Sequence, residues 1–328
     1  MALTRVLPYG AAAIAEVAAI ITAGGILAVP TETVYGLAGD ATNDKAVAAI
    51  YAAKGRPSVN PLIVHVHDLV QAKMLAVFDA EAEALATAHW PGPLTLVVPV
   101  RPDAGLAQAV TAGLPTVAVR VPAHRAMQAL LEATGKPLAA PSANASGGIS
   151  PTCSDHVLRS LGGRIPFIID DGPTSGGIES TIIAVEGHVV RILRPGPIVF
   201  VTPDSLRGSA SSPDGAIGSL GLDQVRADEG KIEAPGQLTA HYAPSKPLRI
   251  NAMTTNNDEW HIGFGPIPGD ATLSATGDLT EAASRLFDLL HRADANEHPR
   301  IAVAPVPHVG IGVAINDRLA RAAVGAAQ

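Results

Sequence analysis

Apolar residues recur at helical spacing from Ala11 to about Ala23, and Gly24-Gly25 closes that run before the continuously apolar segment Ile26 to Pro30. A helix feeding a strand is predicted. The leading stretch MALTRVLPYGAAAIAEVAAI, with Glu16 set into its apolar face, reads as an amphipathic helix. Asn43 and Asp44 offer an N-cap for a helix running through Ala53 and delivering Lys54-Gly55-Arg56-Pro57 at its end. Further strands are expected at Leu62 to Val66, Leu94 to Val100, Thr116 to Val121, Pro137 to Ala140, Pro166 to Asp170, Ser180 to Val185 and Val189 to Leu193. Helical periodicity marks Ala80 to His89 and His124 to Thr134 between them. Some of these strands are joined by helices and others by short turns, which predicts an α/β fold with a twisted mixed sheet.

From about Pro203 to Pro244 periodicity gives way to Gly, Ser, Asp and Pro, as in GSASSPDGAIGSLG. A structureless connection that long is either disordered or functional, for instance as a lid over a site. Beyond it, strands at Leu248 to Asn251, His261 to Gly265 and Arg300 to Pro305 and helices near Thr280 to His291 and Val313 to Ala323 predict a small α/β domain. The expected division is a domain over 1–202, a linker over 203–244 and a second domain over 245–328.

Composition sharpens this picture in three ways. Hydrophobic residues make up 47%, aromatics only 3%, and 32 residues are Gly, a mix that suits strands buried on both faces under small-residue helices. The formal net charge of -7 argues against an electrostatic grip on bulk nucleic acid, though not against a local basic pocket. A single cysteine, Cys153, leaves no internal disulfide and no multi-cysteine zinc site. With no apolar run of the ~18 residues needed to span a membrane, a soluble cytoplasmic protein is expected.

The familiar nucleotide-loop, dinucleotide, zinc-helix and nucleophile-elbow motifs are absent. Polar residues cluster instead just beyond apolar strands: PTETVYG from Pro30, KGRP from Lys54, Arg120 in TVAVRVP, PSANASG from Pro141, and IEST from Ile178 followed by Arg194-Pro195-Gly196. Taken singly, each has a plain reading. Lys54 and Arg56 suit solvated residues complementing a helix end. His65 suits a hydrogen-bonded structural histidine. Ser142, Ser150 and Ser180 suit turns, and Cys153 is a bystander. Arg120 follows buried apolar residues and needs an anionic partner, for which Glu32 and Glu179 are the candidates.

Taken together, PTETVYGL, KGRP followed by NPL, the SANxSG pattern, GxxxGGIEST and LRPG resemble the YrdC family of threonylcarbamoyl-AMP synthases from about Ile14 to Ile198. PGQLTAHYAP in the linker and GIGVAINDRLARAA near the C-terminus resemble that family's long, two-domain branch. The resemblance implies a YrdC-like mixed sheet and a small Rossmann-like C-terminal domain. It also implies a nucleotidyltransferase joining ATP, L-threonine and bicarbonate into threonylcarbamoyl-AMP and pyrophosphate, for threonylcarbamoyladenosine modification of tRNA. Mg2+ would accompany the ATP, and tRNA or tRNA-modifying proteins would be partners. Carried onto this chain, Lys54, Arg56, Ser58, Thr116, Ser142, Asn144, Ser150, Arg194 and Tyr242 fall on the ATP side, with Lys54 and Arg56 catalytic. Thr31, His65, Arg120, Ala140 and Ser180 fall on the threonine side. The chemistry agrees with these residue types: a carbamate must approach a polyphosphate, so the site needs fixed cations and donors more than a strong nucleophile. Two other readings stay open, an RNA-binding fold-mate that consumes no ATP, and a carbamoyl-transfer module like that of hydrogenase-maturation proteins.

Overall fold

The computed structural model of the 328-residue chain describes residues 3–57, 59–186, 189–200, 225–227, 233–236 and 241–326. In chain order its larger part comprises β1 (Arg5–Pro8), α1 (Ala11–Thr22), β2 (Ile26–Pro30), β3 (Tyr35–Asp40), α2 (Asp44–Lys54), β4 (Ile63–His65), α3 (Leu69–Leu75), α4 (Ala80–His89) and β5 (Leu94–Pro99). There follow α5 (Gln108–Thr111), β6 (Thr116–Arg120), α6 (Arg125–Thr134), β7 (Leu138–Ala139), α7 (Ser154–Leu161), β8 (Phe167–Asp170), β9 (Thr181–Glu186), β10 (Val189–Arg194) and β11 (Val225–Ala227). The smaller part comprises β12 (Leu248–Arg249), β13 (Glu259–Gly263), β14 (Ala271–Thr272), α8 (Leu279–Ala295), β15 (Arg300–Val303) and α9 (Gly312–Gly325).

Eleven strands form one sheet in the order β1-β8-β2-β3-β7-β4-β6-β5-β9-β10-β11. Its pairings are mixed: β2 with β3, β5 with β6 and β9 with β10 run antiparallel, while β4 with β6 and β5 with β9 run parallel. The period of two along β2 explains the layering. Ile26 and Ala28 join the core beneath α2, α3, α4 and α7, and Leu27 and Val29 join the opposite core beneath α1 and α6. Burying each larger apolar side chain contributes about 1.5–3 kcal/mol, so a strand buried on both faces is held from both sides.

Three features depart from the sequence reading. Residues 5–8 form an edge strand paired in parallel with β8, not the first turn of a helix; Gly10 ends it before α1 begins. Tyr35–Asp40, whose glycines and terminal Asp obscure a strand pattern, pairs with β2 across the four-residue turn 31–34. Within the expected structureless linker, Val225–Ala227 adds in parallel to Val190, Arg191 and Ile192, using the open edge that β10 otherwise presents.

The second sheet is wholly parallel, in the order β12-β15-β13-β14, with α8 and α9 packed on it. Its core does not stop at the domain boundary. Val34, Ile149 and Ile178 of the larger part are buried in the same cluster as Leu286, Phe287 and Ile315. The imidazoles of His156 (α7) and His291 (α8) stack with centroids 3.8 Å apart, and His291 Nε2 lies 3.1 Å from the Ser150 carbonyl.

Candidate active site

The turn between β2 and β3 is fastened by one hydroxyl. Thr31 Oγ1 donates to the Val34 carbonyl at 2.7 Å and accepts the amides of Thr33 and Val34, both at 3.2 Å, the local bonding that makes Thr a turn former. The turn carries Thr33 Oγ1 to 3.0 Å from Arg120 Nη1. Arg120 ends β6, directly opposite His65 of β4 in register. Its Nε donates to the Gly92 carbonyl at 3.1 Å, and its Nη2 lies 2.6 Å from Glu32 Oε1. Glu32, not Glu179, is therefore the partner that a buried Arg120 requires. Two of the five N–H groups of the guanidinium are hydrogen-bonded in this way, and Nη2, paired with Glu32 by charge, has no hydrogen-bond partner. His65 Nδ1 beside it is buried without a hydrogen-bond partner, and burial followed by the charge of Arg120 pushes the imidazole down to about 3, so the ring is neutral.

On the other side of the site, α2 ends at Gly55, whose φ of 61° is the left-handed turn that stops the helix, and the next residue, Arg56, turns inward. Arg56 donates to the carbonyls of Asn60 and Pro61 at 3.3 and 3.0 Å, and burial draws its guanidinium down to about 10. Arg194 lies at a register shift near the end of β10. Its Nε and Nη2 both donate to the Ser180 carbonyl, at 3.1 and 2.9 Å. The Ser180 hydroxyl in turn pairs with Thr95 Oγ1 at 2.7 Å. Neither Arg56 nor Arg194 pairs with a carboxylate among the described residues, although they are only 8% and 5% exposed. Two buried cations without counter-ions are costly unless an anion completes them.

Arg56, Arg120 and Arg194 share one hollow with Thr31, Thr33, His65, Ala140, Ser142, Glu179 and Ser180. The linker forms its remaining wall through Pro235, Gly236, His241 and Tyr242. Arg194 Nη1 donates to the Pro235 carbonyl at 3.4 Å, and Tyr242, at a φ of 65°, is fully buried. The cavity volume is about 50 Å³, room for a few waters and far less than a nucleotide needs.

With the geometry in place, similarity to known proteins decides the family. The family model described as "Telomere recombination", covering Sua5, YciO and YrdC, matches residues 19–196. The model described as "Threonylcarbamoyl-AMP synthase, C-terminal domain" matches residues 213–324. Threonylcarbamoyl-AMP synthase of Bacillus subtilis is 39% identical over 95% of this chain and 93% of its own length, and that of Pyrococcus abyssi is 36% identical over 93% and 92%. The crystal structure of P. abyssi Sua5 complexed with L-threonine superposes with a TM-score of 0.80 at 33% identity, covering 99% of this chain and 98% of the other. The chain belongs to the threonylcarbamoyl-AMP synthase family. It is an enzyme of that family, with the large YrdC-like mixed sheet and the small parallel C-terminal sheet that its sequence implies.

The residues expected from this family divide by position. Thr31, His65, Arg120, Ala140 and Ser180 all line the hollow, as do Arg56, Ser142, Arg194 and Tyr242. Four others stand off it. Lys54 is fully buried and donates to the carbonyls of Ser142 and Asn144, each at 2.5 Å, pinning the loop that carries Ser142. Burial, then the charge of Arg56, drives its ammonium well below the usual lysine range. Asn144 is tied to the carbonyls of Ala145 and Gly148, Ser150 donates to Glu179 at 2.5 Å, and Thr116 begins β6 opposite Pro99. Ser58 lies outside the described residues. Cys153 caps α7, and burial raises its thiol, which fits no nucleophilic role. One residue escaped the sequence reading: Arg318, whose partner is Glu179. Its signal was present, because Ala314, Ile315, Arg318, Leu319 and Ala322 fall on one helical face that is otherwise apolar.

Proposed function

We propose that threonine and ATP meet in this hollow, with threonine's carboxylate on the free N–H groups of Arg120 and the triphosphate on Arg56 and Arg194. As a member of its family the chain joins ATP, L-threonine and bicarbonate into threonylcarbamoyl-AMP, the precursor of a tRNA modification, releasing pyrophosphate. The observation that carries the residue assignment is the pair of buried guanidiniums with no carboxylate partner among the described residues, beside a third that is already balanced by Glu32. An amino acid carboxylate suits the planar fork of Arg120. Neutral His65, with an orphaned ring nitrogen, suits a hydrogen bond to the substrate rather than a charge. Arg56 and Arg194 offset the repulsion between a carbamate oxygen and the α-phosphate it attacks, and later the charge gathering on the departing pyrophosphate.

Among the described residues no group of three or more His, Cys, Asp or Glu side chains gathers to hold a metal. The donors around the hollow, hydroxyls and backbone carbonyls with Glu179 committed to Arg318, fit magnesium carried by the nucleotide's own phosphates and water. Bound there, magnesium would screen phosphate charge.

A cavity of about 50 Å³ with Gly236 and Tyr242 in its lining is far too small for ATP. Admitting the nucleotide therefore requires Gly236 and Tyr242 to move aside, and their return over it would shield a mixed anhydride that water would hydrolyse. Handing that labile product to a tRNA-modifying partner follows from the same chemistry. Among the described residues no helix is long and apolar enough to cross a membrane.

The test is reconstitution: the purified chain with ATP, labelled bicarbonate and threonine should give labelled threonylcarbamoyl-AMP by mass, with pyrophosphate release dependent on all three. Tight, ATP-independent binding of tRNA with no product would favour the RNA-binding alternative and remove this one.

A further inference from the structure

Behind the wall of the hollow, one side chain of the small domain enters the large one. Arg318 of α9 is 0% exposed. Its Nε donates to Glu179 Oε2 at 2.8 Å, its Nη2 to the Pro195 carbonyl at 3.0 Å and its Nη1 to Asp317 Oδ2 at 2.6 Å. The guanidinium also lies 5.2 Å from the centroid of the Tyr242 ring. Glu179 and Pro195 are the chain neighbours of Ser180 and Arg194, and it is the Ser180 carbonyl that holds Arg194 by two hydrogen bonds. Arg318 thus grips both sides of the anchor that aims Arg194.

The charges make this arrangement consequential. Glu179 and Arg194 face the same hollow, yet they form no ion pair. Each oxygen of Glu179 is engaged elsewhere: Oε2 by Arg318 and Oε1 by the Ser150 hydroxyl. Burial would raise this carboxyl, but Arg318, then Arg194, outweigh it and hold the carboxyl below its usual range. Without Arg318, a buried carboxylate would keep one hydroxyl donor and seek the uncompensated guanidinium across the cavity. A phosphate would then compete with Glu179 for Arg194.

We propose that Arg318 is a positioning residue for nucleotide binding: by occupying Glu179 and fixing Pro195, it keeps Arg194 free and aimed at the phosphates. The small domain is thereby part of the nucleotide site without touching the nucleotide. The proposal rests on placing Arg194 on the ATP side. A merely structural interdomain ion pair would lower stability and, through the fraction of folded enzyme, scale turnover while leaving the KM for each substrate unchanged.

The experiment uses full-length enzyme, with pyrophosphate release followed against ATP at saturating threonine and bicarbonate, then against threonine at saturating ATP, and melting followed in parallel. Arg318→Met should raise the KM for ATP about ten- to a hundredfold, the scale of a charged hydrogen bond, and leave that for threonine within about twofold. Adding Glu179→Gln should restore most of the ATP affinity, since an amide cannot neutralise Arg194. Equal shifts for both substrates, no shift, or a double variant no better than Arg318→Met would overturn the proposal. Where Arg318→Met does not fold, Arg318→Lys decides: an ammonium cannot hold Glu179 and Pro195 in one planar fork, so a severalfold rise in KM for ATP alone is expected, and an unchanged value overturns the proposal. Arg194→Met separates the premises. If it spares ATP binding, the ATP-side assignment fails; if it damages ATP binding while Arg318→Met does not, only the role of Arg318 fails.

Discussion

Gly177 packs directly against the backbone of α8, and Gly177→Ala tests whether that contact shapes the site. Its φ is +71°, and an added Cβ would lie 2.4 Å from the Ala283 carbonyl oxygen and from both Cα and O of Ser284, all backbone of α8. That helix cannot yield locally, because Ala282, Ala283, Leu286 and Phe287 are buried around the contact. A gap of about 1 Å must therefore open, either by moving the loop that carries Ile178, Glu179 and Ser180 or by lifting the small domain from Val34, Ile149 and Ile178. The left-handed backbone costs an alanine about 1–2 kcal/mol, and overpacking typically adds about 1–3 kcal/mol, so a loss of about 2–5 kcal/mol is expected. Gly172 provides the control. It has a φ of +77° in the same connection, but a Cβ there meets nothing within 4 Å. Gly172→Ala should therefore show only the backbone term. Differential scanning calorimetry and pyrophosphate release, measured on both variants, should show Gly177→Ala melting well below Gly172→Ala with a lower kcat/KM. If the two variants melt together and keep wild-type turnover, α8 does not press on this loop and the reasoning fails.

Three other outcomes are expected. Arg120→Lys keeps the charge beside Glu32 but loses the fork, so the KM for threonine should rise about ten- to a hundredfold with ATP little affected; equal rises in substrate titrations would remove Arg120 from the threonine side. Lys54→Met strands the Ser142 and Asn144 carbonyls, so the melting midpoint should fall by the equivalent of about 1–3 kcal/mol and pyrophosphate release should fall with it; a wild-type melting curve would contradict the pinning role. Burial pushes His156 down to about 4 and His291, His65 and His241 to about 3, so the unfolded chain binds these protons first. Stability is then full above about pH 6.5 and declines as pH falls from there toward 4, at up to about 1.4 kcal/mol per pH unit per histidine. His291→Gln should flatten part of that decline in urea titrations at stepped pH, and an unchanged slope would show that the stacked pair contributes nothing.

Most strands of the large sheet were legible because an apolar run such as ILAVP has no polar face to confuse the period, and the polar cluster from Pro30 was legible because it follows that run directly. β1 and β3 were not, since RVLP is short and exposed while YGLAGD interrupts its pattern with glycine. Lys54 was legible as a cation but not as a pin, because its partners are backbone carbonyls, which leave no mark in a sequence. What decides the chemistry is more distant still. Cations were plain to see, but which of them would keep a charge to spare depended on two carboxylates. Glu32 is spent on Arg120, far along the chain, and Glu179 on Arg318, 139 residues away. Only after both are assigned do Arg56 and Arg194 stand out as the unbalanced pair, and an anion site is defined by the charges left over as much as by those present. On the role proposed for Arg318, a chain with the same catalytic motifs and no C-terminal arginine would need another way to hold Glu179 away from Arg194.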